Sequence, residues 1–221
     1  MAFWELNLTE LVNAARSGDL ETVKKYIKCD LLCGYRALPP ASESGQYEVV
    51  DWLLNDLIKF THNNIDYESL AIAAAGKGHT NVMFLILRHF PQFRSTEKLD
   101  KNKIMAFAAQ GGHLQTVEAL FKSGATDIAW ALNTAAANGH FDVVKALTAK
   151  GDKNPIMTID SAVCSKNLEM IQWLLETHLH RYANKDRPYI IRRAMGNCYM
   201  EDRVPIKEWL LTYAKDHGIT V

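Results

Sequence analysis

One short pattern returns along this chain at near-regular intervals, and a chain built that way has few folds open to it. The stretches NAARSGDLETVKKYI (13–27), PASESGQYEVVDWLL (40–54), AAAGKGHTNVMFLIL (73–87), FAAQGGHLQTVEALF (107–121), TAAANGHFDVVKALT (134–148) and SAVCSKNLEMIQWLL (161–175) align without a gap. A weaker seventh copy ends in VPIKEWLL (204–211). The shared punctuation is Gly18, Gly45, Gly78, Gly112 and Gly139, with Lys166 and Asp202 in the equivalent places, at intervals of 27, 33, 34, 27, 27 and 36 residues. Four copies place a small pair before the glycine: Ala14 and Ala15, Ala74 and Ala75, Ala108 and Ala109, Ala135 and Ala136. Small residues let a helix approach its neighbour closely, and glycine takes the positive φ that ends a helix without steric penalty.

The residues after each turn repeat as well. Two positions on stand Leu20, Tyr47, Thr80, Leu114, Phe141 and Leu168; five on, Val23, Val50, Met83, Val117, Val144 and Ile171; eight on, Tyr26, Leu53, Ile86, Leu120, Leu147 and Leu174. Steps of three keep these side chains on one helical face, so each copy predicts a helical hairpin with an amphipathic second helix. A lone hairpin cannot bury that face, and stacked neighbours must bury it together. The expected fold is an all-α solenoid of six to seven helix-turn-helix units with few or no β-hairpins.

This pattern resembles the ankyrin repeat from about Thr9 to Leu211. AAQGGHLQTV (108–117) and AAANGHFDVV (135–144) match the centre of that family's helical hairpin, and KSGA (122–125) matches the end of its second helix. The family's first helix opens Thr-Pro-Leu-His, whereas its His position is held here by Val12, Pro39, Ile72, Ala106, Asn133 and Asp160. Three intervals are also shorter than the family's repeat, which predicts junctions without a β-hairpin. Residues 1–221 are read as a single domain: a cap over about 1–8, six repeats over 9–177, and a divergent repeat with its cap over 178–221.

Composition narrows the function. Of 221 residues 48% are hydrophobic, enough for a sizeable core, and 25 Lys and Arg balance 25 Asp and Glu. No global field therefore draws the chain onto nucleic acid. The start, MAFWELNLTELV, carries Glu5 and Glu10 where a secretory signal needs a basic start and an apolar run, and VMFLIL (82–87) is too short to span a membrane. Four scattered cysteines (Cys29, Cys33, Cys164 and Cys198) suit free thiols in a reducing compartment, so the expected location is the cytoplasm.

Individual residues offer chemistry, and each has a plainer explanation. His79, His113 and His140 follow the turn glycine, but repeat spacing holds such residues roughly 10 Å apart, too far to share one metal ion. They are assigned to the turn or helix start. Cys29 and Cys33 lack a second ligand pair. Trp52, Trp173 and Trp209 share one repeat position and are expected to pack, whereas Trp4 and Trp130 break the pattern and are candidates for exposure or a repeat boundary. HLHRYANKDR (178–187), a possible metal or phosphate patch, is read as a solvated loop, and FPQFRSTEKLDKNK (90–103) as a loop after a helix ended by Pro91. LPPASESG (38–45) predicts a helix that starts late, with Pro39 and Pro40 in its first turn. No phosphate-cradling loop, nucleophile elbow, zinc-protease pair or kinase signature is present.

The resemblance implies a non-catalytic scaffold that binds a protein on its concave face, with no cofactor, metal, nucleic acid, membrane or small-molecule substrate called for. The degenerate repeats with Trp-Leu-Leu endings suggest a host-directed effector or viral factor, then located in the host cytosol. An enzyme with a composite site, or the recognition part of a larger catalytic polypeptide, is the alternative. The two residues before each turn glycine vary while their neighbours repeat, which is what recognition requires. Arg16, Glu43, Lys77, Gln110 and Asn138 are therefore the candidate protein-binding residues.

Overall fold

The computed structural model describes residues 8–30, 32–58, 65–90, 99–198 and 201–221. Trp4, Pro91, Phe93, the Cys29 side chain and most of the 1–8 cap lie outside the described residues. Fourteen α-helices pair into seven hairpins among them: α1 (Leu8–Ser17) with α2 (Leu20–Cys29), α3 (Leu32–Glu43) with α4 (Tyr47–Ile58), α5 (Tyr67–Gly76) with α6 (Thr80–His89), α7 (Lys101–Gln110) with α8 (Leu114–Lys122), α9 (Ile128–Ala137) with α10 (Phe141–Gly151), α11 (Pro155–Ser165) with α12 (Leu168–His178), and α13 (Arg187–Gly196) with α14 (Val204–Asp216). With no strand among the described residues, this is an all-α repeat solenoid.

The chain divides into two compact units, one of residues 1–108 and 115–125, the other of 109–114 and 126–221. In the first unit α1 packs on α3 and α3 on α5, while α2 packs on α4 and α4 on α6; in the second, α9 packs on α11 and α11 on α13. First helices thus stack on first helices. The predicted face is the core except at Tyr26, which is half-buried with its hydroxyl donating to Glu10: Val23, Val50, Met83, Val117, Val144 and Ile171 are fully buried, as are Leu53, Ile86, Leu120, Leu147 and Leu174. The paired alanines are buried too, leaving room only for a neighbouring helix.

Three expectations need correction. The apolar position two after the turn is half-buried or exposed rather than core, because it is the first residue of the second helix and has no preceding turn to pack under. Pro39 and Pro40 lie inside α3, not in its first turn. The helix extends back to Leu32 because Cys33, Ala37 and Leu38 are buried, and that packing outweighs a proline cost of about 3 kcal/mol each. Asp202 is not a turn equivalent: it sits in a 3₁₀ turn over Glu201–Arg203, and α13 closes at Asn197 with φ −80°.

The five predicted glycines all take positive φ, between 74° and 83°, and Lys166 takes 61° in their place. Conformation is only half of what the turn demands. A Cβ on Gly45 would stand 2.7 Å from Cγ and Cε1 of His79, and one on Gly112 would stand 2.7 Å from Cε1 of His140. At Gly18 the occupant of that space is the Gln46 carboxamide. At these three turns the residue after the next turn glycine therefore lays its side chain over the glycine of the preceding repeat. Gln46 Nε2 donates to the Arg16 carbonyl at 2.7 Å, and His140 Nε2 meets the Gln110 carbonyl at 2.7 Å. A carbonyl only accepts, so Nε2 of His140 carries the proton. Each of these bonds satisfies a carbonyl at the end of a first helix, where the helix itself supplies no donor.

Replacing Gly112 with Ala is expected to cost about 1–3 kcal/mol in urea denaturation for its left-handed backbone, with an added loss from the His140 ring. That added loss disappears in a His140→Ala background. Gly124→Ala, at φ 104° with nothing within 4 Å, shows the backbone cost alone. Fully additive losses in the Gly112–His140 pair would show that ring and glycine do not compete for one space. Leu147→Ala, in the core, costs about 2–5 kcal/mol.

Candidate protein-interaction surface

The C-terminal ends of the first helices carry the predicted binding residues. Arg16, Glu43 and Lys77 in the first unit and Gln110 and Asn138 in the second are all exposed. The frame uses Arg16 and Gln110 through their main-chain carbonyls, which leaves both side chains outside the packing. Lys77 and Asn138 are the C-cap residues of α5 and α9, each with its own N–H bonded back into its helix. Asn138 differs from the other four, since its Nδ2 donates to the Thr134 carbonyl at 2.8 Å and closes its own helix.

The family's missing histidine has a partial substitute in the second unit. Asn133 Oδ1 lies 3.3 Å from the Thr158 hydroxyl, whose one proton it shares with the nearer Asp152 Oδ2 at 3.0 Å, and Asp160 Oδ2 accepts from Arg193 Nε at 2.5 Å, so these two positions still make polar contact with the next first helix. Val12, Pro39, Ile72 and Ala106 have no side-chain hydrogen-bonding group to offer. Lys166, at the sixth turn, is ion-paired with Asp202, whose carboxyl is held below its usual range by that hydrogen bond. The two residues that stand where a turn glycine was expected meet each other instead.

The HLHRYANKDR segment is not a solvated loop at its start. α12 runs on through His178, whose side chain is 0% exposed and faces Asp152, itself 1% exposed, with Nε2 to Oδ2 at 3.6 Å. Neither ring nitrogen of His178 has a hydrogen-bond partner among the described residues. Asp152 is held by the Asn154 N–H at 2.9 Å and the Thr158 hydroxyl at 3.0 Å. Burial, the largest effect, pushes the His178 pKa below its usual value against the attraction of Asp152, with smaller downward contributions from Arg181 and His180. Sealed from solvent on both sides, this His–Asp pair offers no substrate a path and works as a packing element. The apolar composition on either side of it, WLLETH and MTIDSAV, was the available signal.

The tryptophans divide as expected from their positions. Trp52, Trp173 and Trp209 are half-buried, with Trp173 edge-on to Phe141 at 5.6 Å and Trp209 against Tyr213 at 5.1 Å. Trp130, outside the pattern, is exposed. The first unit also has a hollow of about 280 Å³ between α3 and α5, walled by Leu38, Pro39, Ile65 and Leu70, with Asp66 and Ser69 at its polar edge. The Tyr35 hydroxyl in its lining is buried without a hydrogen-bond partner among the described residues. No group of three His, Cys, Asp or Glu side chains is placed to hold a metal ion among the described residues, and no described helix is long and apolar enough to cross a membrane.

Stacked helical hairpins, turned at glycine and joined by the side chain that follows it, define a class of repeat scaffold. The family model for ankyrin repeats (3 copies) matches residues 11–129 and again 70–157, and the chain belongs to the ankyrin-repeat family. The crystal structure of the human ASB11 ankyrin repeat domain is similar in fold, with a TM-score of 0.58 and 17% identity over 76% of this chain and 83% of that one. No curated protein sequence matches the chain at a significant level.

The depressed His178 pKa sets a pH dependence. The native state holds this residue neutral while the unfolded chain protonates it near pH 6.5, so its contribution is intact above that pH and is lost as pH falls. Melting temperature should drop on acidification from about pH 7.5 to about pH 5.5, and His178→Gln should drop less steeply over the same range. Equal slopes would show that His178 is not the buried neutral base described here.

Proposed function

We propose that the chain is a protein-binding scaffold whose partner lies against the ends of the first helices. The observation that carries this reading is a division of labour at one place in the repeat. There the main chain holds the frame together, while the side chains of Arg16, Glu43, Lys77 and Gln110 are exposed and differ from repeat to repeat. A frame that fixes backbone geometry without using those side chains leaves them open to selection for a partner. Membership of a family whose repeats generally mediate protein–protein contact supports the same reading. We also place the protein in the cytoplasm, where Cys164 and Cys198, free thiols among the described residues, would remain reduced. A host-directed role is the narrower form of this proposal.

The test is cross-linking from these positions followed by affinity measurement with the captured partner. Lys77→Glu and Gln110→Trp should each weaken the complex roughly tenfold, as central contacts do, with the melting temperature nearly unchanged. Asn138→Trp should weaken it too but also lower stability by about 1 kcal/mol, because it removes a helix-closing bond. A captured partner whose affinity ignores all three changes, and falls instead on altering Arg181, would refute the proposal.

A further inference from the structure

The second unit carries an exposed apolar row that its repeat frame does not require. Trp130, Met157 and Tyr189 are 42%, 47% and 56% exposed. They stand on α9, α11 and α13, three consecutive first helices that pack side by side. Each lies three residues after the N-cap of its helix, which is Asp127, Asn154 or Asp186. The row is therefore in register: three large apolar side chains at one height on adjacent helices, roughly 10 Å apart from one to the next by ordinary helix packing. In the first unit the same place, three after Asp66 and three after Asp100, is held by Ser69 and Lys103. Core packing does not select the apolar residues, since none is buried. Scattered exposed apolar residues are normal on a surface, but alignment in one row is the mark of an interaction site.

Charge around the row is uneven, although the whole chain is neutral. At the Tyr189 end, residues 185–193 carry Lys185, Arg187, Arg192 and Arg193 against the single acid Asp186. Arg192 and Arg193 stand one helical turn beyond Tyr189, on its side of α13, and Arg193 donates to the Tyr189 hydroxyl at 3.2 Å while holding Asp160. At the Trp130 end the neighbouring charge is Asp127, already occupied in accepting the Trp130 N–H. The row is apolar along its length and basic at one end.

We propose that Trp130, Met157 and Tyr189 form a docking row for a protein segment carrying two or three large apolar side chains followed by Asp or Glu, with the acidic end directed to Arg192. This rests on the scaffold reading and adds a site and a partner chemistry distinct from the helix-end residues. Trp and Tyr supply large, stiff contact area, and the arginines set the direction in which the segment lies.

The experiment pans a phage-displayed library of random dodecapeptides against the full chain, then measures the enriched peptide, fluorescein-labelled, by polarisation. Enriched sequences should place Leu, Phe, Trp or Met ahead of an acidic pair. Trp130→Ala and Met157→Ala should each weaken that peptide roughly tenfold. Met157→Glu, a surface change that leaves the core intact, should weaken it at least as much. Exchanging the peptide's acids for Lys should lose binding to the native chain and recover it with Arg192→Glu, a swap that a merely structural role for Arg192 would not produce. Lys77→Glu should leave the affinity unchanged. Basic or purely polar sequences, an empty selection, or affinity indifferent to Trp130 and Met157 would overturn the proposal. So would concentration-dependent self-association abolished by Trp130→Ala, since the row would then join two copies of the chain. A peptide lost on Lys77→Glu but retained on Trp130→Ala would sink this row and leave the scaffold reading standing.

Discussion

The space above the turn glycine is where local and long-range structure meet. A left-handed residue is needed there to reverse the chain, and many residues could supply it at modest cost, as Lys166 does at φ 61°. The demand for glycine is stricter at Gly45 and Gly112, because the next repeat sets an imidazole in the volume a Cβ would occupy. The His140 imidazole over Gly112, like the Gln46 carboxamide over Gly18, then reaches a helix-end carbonyl that has no donor of its own. One missing methyl group thus fixes the turn, spaces the neighbouring hairpin and satisfies a polar atom. The apolar faces can be buried only if successive hairpins are held at that spacing.

What could be read in the sequence follows from how local each signal is. The buried positions five and eight after the turn were legible because they obey a helical period and recur in copy after copy, so chance matches cancel. Pro39 and Pro40 were misleading for a local reason: proline alone argues for a helix start, whereas the length of α3 is decided by what Cys33, Ala37 and Leu38 touch. His178 failed in the same way. Its neighbours His180, Arg181, Lys185 and Arg187 make the segment read as solvated, yet its own environment is set by Asp152, far back along the chain. The histidines after the glycines were placed correctly at the turn, but their role in the preceding repeat requires two copies in space. The binding residues proposed at the helix ends came from variation within a frame, and no sequence feature tells recognition from unconstrained exposure.

The stitch changes character within the second unit, past Gly112 and His140. At Gly139 no ring fills the hollow; the nearest side-chain atom is Ser165 Cβ at 3.6 Å, and the residue after the next turn, Asn167, turns inward to cap its own helix. Polar contact between repeats moves instead to the first helices, through Asn133 with Thr158 and Asp160 with Arg193, and to the buried pair of Asp152 and His178. The two arrangements respond differently to solvent. A neutral hydrogen bond to a main-chain carbonyl is indifferent to salt, whereas the half-exposed Arg193–Asp160 pair is screened by it.

That change also bears on where an apolar row can stand. Side chains early in a first helix lie beside the corresponding ones of the next repeat, and an apolar side chain there is only partly covered by its neighbours. Left alone, such a row invites non-specific association, which is why solvated surfaces usually break it with charge. The first unit does so at the matched position with Ser69 and Lys103, the latter paired to Glu68 at 2.6 Å. The second unit keeps Trp130 and Met157 bare and places its charge beside the row, on α13. Arginines at one end repel a second copy docking head to head while attracting an acidic segment, so the same charges that limit self-association confer direction on a partner. Because Arg193 is held by Asp160 and in turn holds the Tyr189 hydroxyl, that end of the row is positioned before any partner arrives, and little ordering cost remains there on binding, while Arg192 is left to receive the acidic end.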